Sequence, residues 1–229
     1  MATQPRAAET RRRILAAAVD LFAANGYLET TPQAIAAAAD LTTGAFYYHF
    51  KSKEDLATAI VDEGWPDVAA AFNDRDHAHR SGLLNVIESV FAVTEILNHD
   101  KLRWVGFHLN MAIGHLSPSA RQSYRERVQA FSLAVVGAFQ DSQLREGVTR
   151  QRAGELLWIT LSGSQLLSDV LESTPTARFA RLGAAWKSVL RTIVPDSALP
   201  ELVTFIDQTV ARYGQTSAGE PATVSESVT

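Results

Sequence analysis

Apolar residues recur at intervals of three and four along nearly the whole chain, and the strict alternation that marks half-buried strands is missing. The first such segment, at about residues 7–24, ends at Asn25 and Gly26, a pair that tolerates the left-handed backbone of a helix end. Its apolar face consists of Ile14, Leu15, Ala18, Leu21 and Phe22. The pattern therefore predicts an amphipathic first helix in an all-α fold.

Three shorter helices are predicted after the first. Thr31 and Pro32 form an N-cap followed by a proline at the first helical position, which opens a helix to about residue 39. After a turn at residues 40–41, Thr42 caps a third helix through residue 48. Ser52 begins a fourth helix at about 53–65, which Pro66 should bend or end.

The remaining pattern predicts six more helices and two polar segments. The helices are expected at about 82–98, 101–115, 118–145, 150–172, 177–194 and 198–213. A polar loop is expected at 75–81. The tail from residue 214 is rich in small polar residues and has no apolar period, which predicts disorder.

Composition excludes several classes of protein. With 46% hydrophobic and 20% charged residues, the chain can bury a core. It has no cysteine, which excludes a disulfide framework and thiolate chemistry. No apolar run approaches the ~18 residues of a membrane span. No leader-peptide pattern follows the basic N-terminus, so a cytoplasmic location is expected.

Charge is distributed unevenly along the chain. Residues 1–53 carry six Lys or Arg against four Asp or Glu, whereas the remainder carries fifteen against twenty-one. A basic N-terminal part on an acidic body is consistent with nucleic-acid binding confined to that part.

Residues 32–48 have the dimensions of a helix-turn-helix, whose second helix can enter the major groove of DNA. Thr42, Thr43 and Gly44 lie at the N-terminus of that helix, where free N–H groups and the helix dipole attract phosphate. Tyr47 and His49 carry hydrogen-bonding groups suited to phosphate oxygens. The alternative is an ordinary three-helix subdomain with an aromatic core and a solvated edge.

Three neighbouring residues complete this candidate surface. Lys53, at the start of the fourth helix, can add a positive charge beside a phosphate. Phe50 is expected to pack inward against the first helix. Phe46 is retained as a candidate DNA contact, because sequence recognition could rest on Phe46 together with Thr42 and Thr43 and on operator shape.

Residues 10–56 resemble the N-terminal domain of the TetR family of transcriptional regulators. The matching positions are Arg13–Ala18, Leu21–Phe22, Gly26–Tyr27, Thr30–Thr31, Ile35–Ala36, Ala39, Leu41–Thr42, Gly44, Phe46–Tyr47, His49–Phe50, Lys53–Glu54 and Leu56. The resemblance implies DNA-contact roles for Thr31, Thr42, Thr43, Gly44, Tyr47, His49 and Lys53. Many relatives carry Lys or Arg where this chain has Thr43. A thymine methyl or a phosphate is therefore the expected partner there, not guanine.

A stripe of large side chains lies on the helix predicted at 101–115. Trp104, His108, Met111 and His115 are spaced at i, i+4, i+7 and i+11 and share one face. The stripe is either part of a helix–helix core or the wall of a ligand pocket. Tyr124, Phe131 and Gln165 are further candidates for lining that pocket.

Two segments resemble the γ-butyrolactone autoregulator receptor branch of the same family. They are Leu161–Ser168 and Arg178–Leu182, the second continuing through Trp186 to Ile193–Pro195. The resemblance implies a repressor of antibiotic production that a small lactone or furan signal releases from DNA. Such receptors usually carry a tryptophan over the ligand on the helix that here runs from Ser117. This chain has none there, and Tyr124 or Phe131 could supply the ring instead.

The resemblance also implies a homodimer, in which two long body helices of each protomer form a four-helix interface. The candidate interface residues are Gly163, Ser164, Leu167, Trp186 and Leu190. The alternative is that these residues pack within one chain. Dimerisation has its own physical motive, since two short recognition helices on a two-fold axis can read a near-palindromic operator with half-sites about one turn (~34 Å) or more apart.

No Gly-x-Ser-x-Gly, Gly-x-x-x-x-Gly-Lys or His-Glu-x-x-His sequence occurs, so an enzyme, a cofactor and a metal are not expected. His77 and His79 are interpreted as surface residues. We expect a helix-turn-helix DNA-binding domain at 1–53, a helical ligand-binding and dimerisation domain at 54–213 and a disordered tail at 214–229.

The predicted partners are double-stranded operator DNA, a small-molecule inducer and a second copy of the chain, without a membrane. One alternative is a TetR-type regulator of efflux or metabolism with an unrelated ligand. The other is a helical interaction protein that does not bind DNA.

Overall fold

The computed structural model describes residues 3–73, 82–113, 118–138 and 144–218, and their regular structure is helical throughout, which confirms the predicted fold class. The helices are α1 (Thr3–Glu29), α2 (Pro32–Ala38), α3 (Thr43–His49), α4 (Lys53–Asn73), α5 (Gly82–His99), α6 (Lys101–Ile113), α7 (Pro118–Ala138), α8 (Arg150–Val170), α9 (Pro175–Ile193) and α10 (Leu199–Ala218). No helix in these ranges is both long and apolar enough to span a membrane.

Helix α1 breaks where the sequence predicts its end. Gly26 has φ 77° and ψ 167°, outside the helical region, and one further turn follows to Glu29. A positive φ of this size is unfavourable for residues with a side chain, so glycine permits the kink at this point.

The predicted N-caps form. Thr31 Oγ1 accepts a hydrogen bond from the N–H of Ala34 at 3.1 Å, and Thr42 Oγ1 accepts one from Ala45 at 3.2 Å. Ser52 Oγ likewise accepts from Asp55, whose carboxylate reaches back to the N–H of residue 51. Each cap satisfies an N–H that the first turn of a helix leaves without a partner.

The described chain divides into two compact units. The first unit comprises residues 3–70, 96–113 and 118–127, and the second comprises 71–73, 82–95, 128–138 and 144–218. Buried apolar side chains of the first unit come from α1 to α4, α6 and α7, among them Ile14, Ile35, Phe46, Leu56 and Leu109. The three N-terminal helices therefore share one core with α4 and α6.

The sequence predicts that Pro66 bends or ends α4. The helix continues through Pro66 to Asn73, which corrects the prediction of an end near residue 65. A proline inside a helix removes one backbone hydrogen bond and crowds the preceding turn. On either side of it, Trp65 and Asp67 contact Arg127 and Arg103 from other helices. Such tertiary contacts override the local preference.

Helices α4 and α6 approach each other at two glycines. A methyl group on Gly64 would lie 3.3 Å from the Cα of Arg103, and one on Gly106 would lie 3.3 Å from the carbonyl oxygen of Ile60. Distances this short are tighter than ordinary van der Waals contact, so the two backbones meet without side chains between them.

The second unit is built on α8, α9 and α10. Trp186 and Phe179 of α9 are fully buried, and Phe179 stacks on Phe91 of α5 with ring centroids 6.0 Å apart. Gly183 allows α10 to pack closely, because a methyl group there would lie 2.5 Å from Val210 Cγ2.

Helix α10 extends beyond residue 213, where the sequence predicts its end, to Ala218. The rest of the expected tail, the polar loop at 75–81 with His77 and His79, and His115 lie outside the described residues. The predicted boundary at 53/54 separates a DNA-binding domain from a ligand-binding and dimerisation domain. It is a functional boundary and stays a prediction.

Candidate nucleic-acid interface

The turn between α2 and α3 is fixed by backbone hydrogen bonds. Asp40 has φ 53°, and its N–H donates to Ala37 while the N–H of Leu41 donates to Ala36. This pair of bonds is the Schellman arrangement, which closes a helix on a residue in the left-handed region. The guanidinium of Arg13, on α1, donates to the carbonyl oxygen of Ala39, so this hydrogen bond joins the turn to α1.

Helix α3 buries one side of its aromatic run. Phe46 is 0% exposed and Phe50 is 2% exposed, with ring centroids 6.1 Å apart. The guanidinium of Arg11, on α1, lies 5.1 Å from the centroid of the Phe50 ring. The expectation that Phe50 packs inward against the first helix is confirmed. Phe46 lies in the core, which corrects its place among the candidate DNA contacts.

The opposite side of α3 is exposed. Gly44, Tyr47 and Tyr48 share this side, since they are spaced at i, i+3 and i+4, and Tyr47 and Tyr48 are 49% and 80% exposed. Thr42 is also exposed, and Thr43 is half-buried. We call Thr42, Thr43, Gly44, Tyr47 and Tyr48 the α3 surface. It presents hydroxyl groups and aromatic rings to solvent.

Tyr48 is the member of the α3 surface that sequence reasoning missed. Its helical spacing from Gly44 and Tyr47 is the signal that could have found it, because Phe46 and Phe50 already define the inward side. Its ring meets that of His49 edge-on at 5.0 Å. His49 itself is half-buried at the end of α3, and Thr31 is exposed at the start of α2.

Lys53 is placed differently from its predicted role. Its ammonium group donates to the carbonyl oxygens of Tyr27, Leu28 and Thr30 at 2.8, 3.2 and 2.8 Å, and it lies 4.4 Å from the Tyr27 ring centroid. An ammonium has three donors, and these bonds use all of them. Burial lowers the pKa of Lys53, with the charge of Glu29 acting the other way. The predicted phosphate contact is corrected: Lys53 holds the end of α1 against the start of α4.

The candidate ligand residues divide between the two units. Trp104, His108, Met111 and Tyr124 are half-buried in the first unit, where the Trp104 and His108 rings lie 4.4 Å apart. Phe131 and Gln165 are buried in the second unit. There Phe131 packs on Trp158 at 5.0 Å, and the Gln165 amide donates to Thr94 at 2.7 Å.

The candidate interface residues on α8 and α9 differ in exposure. Trp186 and Leu190 are fully buried, which corrects the assignment of these two to a surface between protomers. Ser164 is 7% exposed and lines a groove between α8 and α9, so its assignment stays a prediction. Leu167 is exposed, and a methyl group on Gly163 would meet nothing within 4 Å.

Helix α8 nevertheless exposes a continuous apolar side. We call it the α8 face, and it consists of Ile159, Gly163, Leu166, Leu167 and Val170. These residues recur at intervals of three and four, so they lie along one side of the helix. The face borders a groove of about 620 Å³ between α8 and α9, which Ala185, Val189 and Thr192 line from the α9 side.

A family model described as bacterial regulatory proteins, tetR family, matches residues 14–60. The chain is 46% identical over 63 residues to the A-factor receptor protein of Streptomyces griseus, a match that covers 28% of this chain and 23% of that protein. It is 31% identical over 96 residues to the uncharacterized HTH-type transcriptional regulator TtgW of Pseudomonas putida, covering 34% of this chain and 72% of TtgW. The chain spans less than two thirds of the length of the first of these relatives.

Solved structures extend the similarity beyond the N-terminal helices. A γ-butyrolactone receptor described as ArpA-like superposes with a TM-score of 0.71 at 24% identity, over 90% of this chain and 99% of that one. At this identity the likeness is one of fold. CprB from Streptomyces coelicolor, a TetR family protein solved in complex with its operator, superposes with a TM-score of 0.65 at 25% identity, over 90% and 99% of the two chains.

Proposed function

The chain belongs to the TetR family of bacterial regulatory proteins, and we propose that it is a homodimeric repressor that a small molecule releases from operator DNA. The observation that carries this proposal is the α3 surface. Its hydroxyl groups and rings face solvent within the segment that the family model matches, while the apolar residues of the same helix are buried.

Under this proposal, α3 enters the major groove of double-stranded DNA. Thr31, the α3 surface and His49 contact phosphates and base edges, whereas Phe46 and Lys53 only support the helix from behind. Phenol and hydroxyl groups donate well to phosphate oxygens, and the threonine methyl can contact a thymine methyl. The complex of CprB with its operator supports this part of the proposal by similarity.

The proposed dimer uses the α8 face. Exposed apolar residues at regular helical spacing are rare on a protein without a partner, and they mark protein–protein contacts. In a two-fold dimer each α8 face meets its own copy, and Gly163 lets the two backbones approach. The interface therefore uses α8 residues that are exposed in the single chain, with the groove beside α9 as its border.

The proposed inducer is a small lactone or furan that binds in the helical body and regulates antibiotic production. Similarity to the A-factor receptor supports this class. The candidate ligand contacts in the first unit are Trp104, His108, Met111 and Tyr124. A regulator of efflux or metabolism with another inducer is the alternative within the family.

The proposed mechanism is a change in the separation of the two α3 helices, transmitted by α4. A ligand shifts an equilibrium only if it binds one state more tightly than the other. Tenfold weaker operator binding needs about 1.4 kcal/mol of such differential binding. The ligand must therefore favour the arrangement of α4 that the operator does not accept.

Gel-shift titration on the DNA upstream of the gene tests the proposal, with and without lactones, furans and antibiotics. We expect retardation at low salt and its reversal by one of these classes. Absence of retardation would contradict the repressor; reversal by an antibiotic alone would favour the efflux alternative.

Trp104→Ala separates the proposed ligand site from the DNA-binding surface. We expect this variant to retain operator binding and to lose release by the inducer, because Trp104 would line the ligand site on α6. Loss of both functions together would assign Trp104 to the core of the first unit instead, against which it packs.

A further inference from the structure

Helix α4 is held in the first unit by a polar clamp centred on Arg127 of α7. Arg127 Nη2 donates to Asp62 Oδ1 of α4 at 2.6 Å, and Nη1 donates to Asn110 Oδ1 of α6 at 2.9 Å. The guanidinium also lies 5.5 Å from the centroid of the Trp65 ring on α4. The Arg127 side chain thus joins α7 to both α4 and α6.

The clamp stands beside the glycine crossing of α4 and α6. Asn110, Gly106 and Arg103 are spaced at i, i−4 and i−7, so they lie on one side of α6, and this side meets α4. Trp104 and His108 lie on another side of the same helix. On the side of α6 that faces α4, the two backbones meet at Gly106, and the polar residues Arg103 and Asn110 lie on either side of that contact.

The chemistry of the clamp makes it sensitive to loss of one member. Asn110 is 2% exposed, and its Nδ2 has no hydrogen-bond partner in the ranges that the structure describes. Arg127 supplies the bond to its Oδ1. Burial lowers the pKa of the Arg127 guanidinium, and Asp62 opposes that effect. A charge held in this way is costly to leave without its carboxylate.

We infer that Arg127 is a positioning residue for DNA binding. It holds α4 in place through Asp62, and α4 in turn fixes the orientation of α3, with which it shares a core. This inference rests on the proposed function. Arg127 is also the last residue of α7 that belongs to the first unit, and α7 continues beyond it into the second.

The test uses Arg127→Gln, Asp62→Asn and the double variant. Hydrogen exchange of α4 amides, read without DNA, should accelerate at least threefold in each single variant, while α2 and α3 stay unchanged. Operator affinity should fall at least fivefold in each single variant, and the double variant should be no weaker than Arg127→Gln alone. Arg127→Lys, which keeps a cation for Asp62, should restore most of the affinity.

Lys101→Gln is the matched control. Lys101 forms an ion pair of 2.8 Å with Asp20, which joins α6 to α1 and leaves α4 untouched. In Lys101→Gln, the hydrogen-exchange rate of the α4 amides and the operator affinity should both stay within twofold of the values for the original protein. Should Arg127→Gln fail to fold, Asp62→Asn, whose carboxylate is largely exposed, decides the question alone.

Unchanged α4 exchange in the folded variants, or affinity losses that add in the double variant, would overturn the inference. If the original protein binds no DNA, the proposed function fails, while the exchange data still decide whether Arg127 holds α4. The two failures are thus distinguishable.

Discussion

At the scale of single residues, α3 divides its aromatic side chains between two tasks. Phe46 and Phe50 complete the core of the first unit, whereas Tyr47 and Tyr48 face solvent. A seven-residue helix has little stability of its own, so its attachment through Phe46 and Phe50 holds the outward hydroxyl groups in place.

Tyr47→Phe tests the outward task. Removing one hydroxyl that donates to a phosphate should weaken operator binding about tenfold, about 1.4 kcal/mol, with no change in melting temperature. Fluorescence anisotropy with labelled operator DNA measures the change. Tyr124→Phe, a half-buried tyrosine on α7, is the control and should leave the affinity as it was. Equal loss in both variants would contradict the assignment.

The residue scale also shows what a sequence can and cannot predict. The caps at Thr31 and Thr42 and the inward Phe50 follow from local spacing, and the structure confirms them. Lys53 does not, because the carbonyl oxygens that it binds come from residues more than twenty positions earlier. The family pattern favours a phosphate contact for Lys53. Only the folded chain shows that its ammonium group donates to backbone carbonyl oxygens instead.

At the scale of elements, long-range contacts decide where helices end. Local signals predict that α4 can end at Pro66 and that α10 ends at residue 213, yet both helices continue past these positions. In α10, Arg212 and Tyr213 bind the buried carboxylate of Glu88 on α5. Neither partner is visible from the local pattern, because more than a hundred residues separate them.

The Tyr213–Glu88 contact predicts a pH dependence of stability. The phenol donates to Glu88 at 3.0 Å, and burial, followed by the charge of Glu88, raises the pKa of Tyr213. Below about pH 10, the ordinary pKa of a tyrosine, the contribution of Tyr213 to the free energy of unfolding is fully present. Above that pH the unfolded chain releases the proton first, so stability falls as pH rises.

Urea unfolding of the original protein and of Tyr213→Phe, from about pH 9 to pH 11, measures this effect. The difference between the two free energies of unfolding should shrink by about 1 kcal/mol per pH unit above pH 10. A difference that stays constant across this range would show that Tyr213 is not protected from ionisation.

At the scale of the whole molecule, the α8 face is a run of apolar side chains that the described part of a single chain leaves exposed. Apolar periodicity marked this helix, but it could not tell α8 side chains that face solvent from Trp186 and Leu190 of α9, which fill the core. All of them read as apolar positions of long helices. The three-dimensional packing is what separates core from interface.

Val170→Asp tests the proposed dimer. Val170 is 72% exposed on the α8 face, and a carboxylate buried there in an apolar interface would be costly enough to separate the protomers. Sedimentation equilibrium should give a monomer, and operator affinity should fall at least a hundredfold. Leu133→Asp, 69% exposed on α7, is the matched control and should remain a dimer. A dimeric Val170→Asp would place the interface elsewhere.

Hydroxyl-radical footprinting of the DNA upstream of the gene tests the central claim most directly. We expect two protected half-sites, related by a near-palindrome and about one helical turn (~34 Å) or more apart on the duplex. With Tyr47→Phe, half-protection of both half-sites should require about tenfold more protein than with the original protein. Protection that is uniform along the DNA, or equal on unrelated sequences, would contradict an α3-directed, dimeric operator-binding protein.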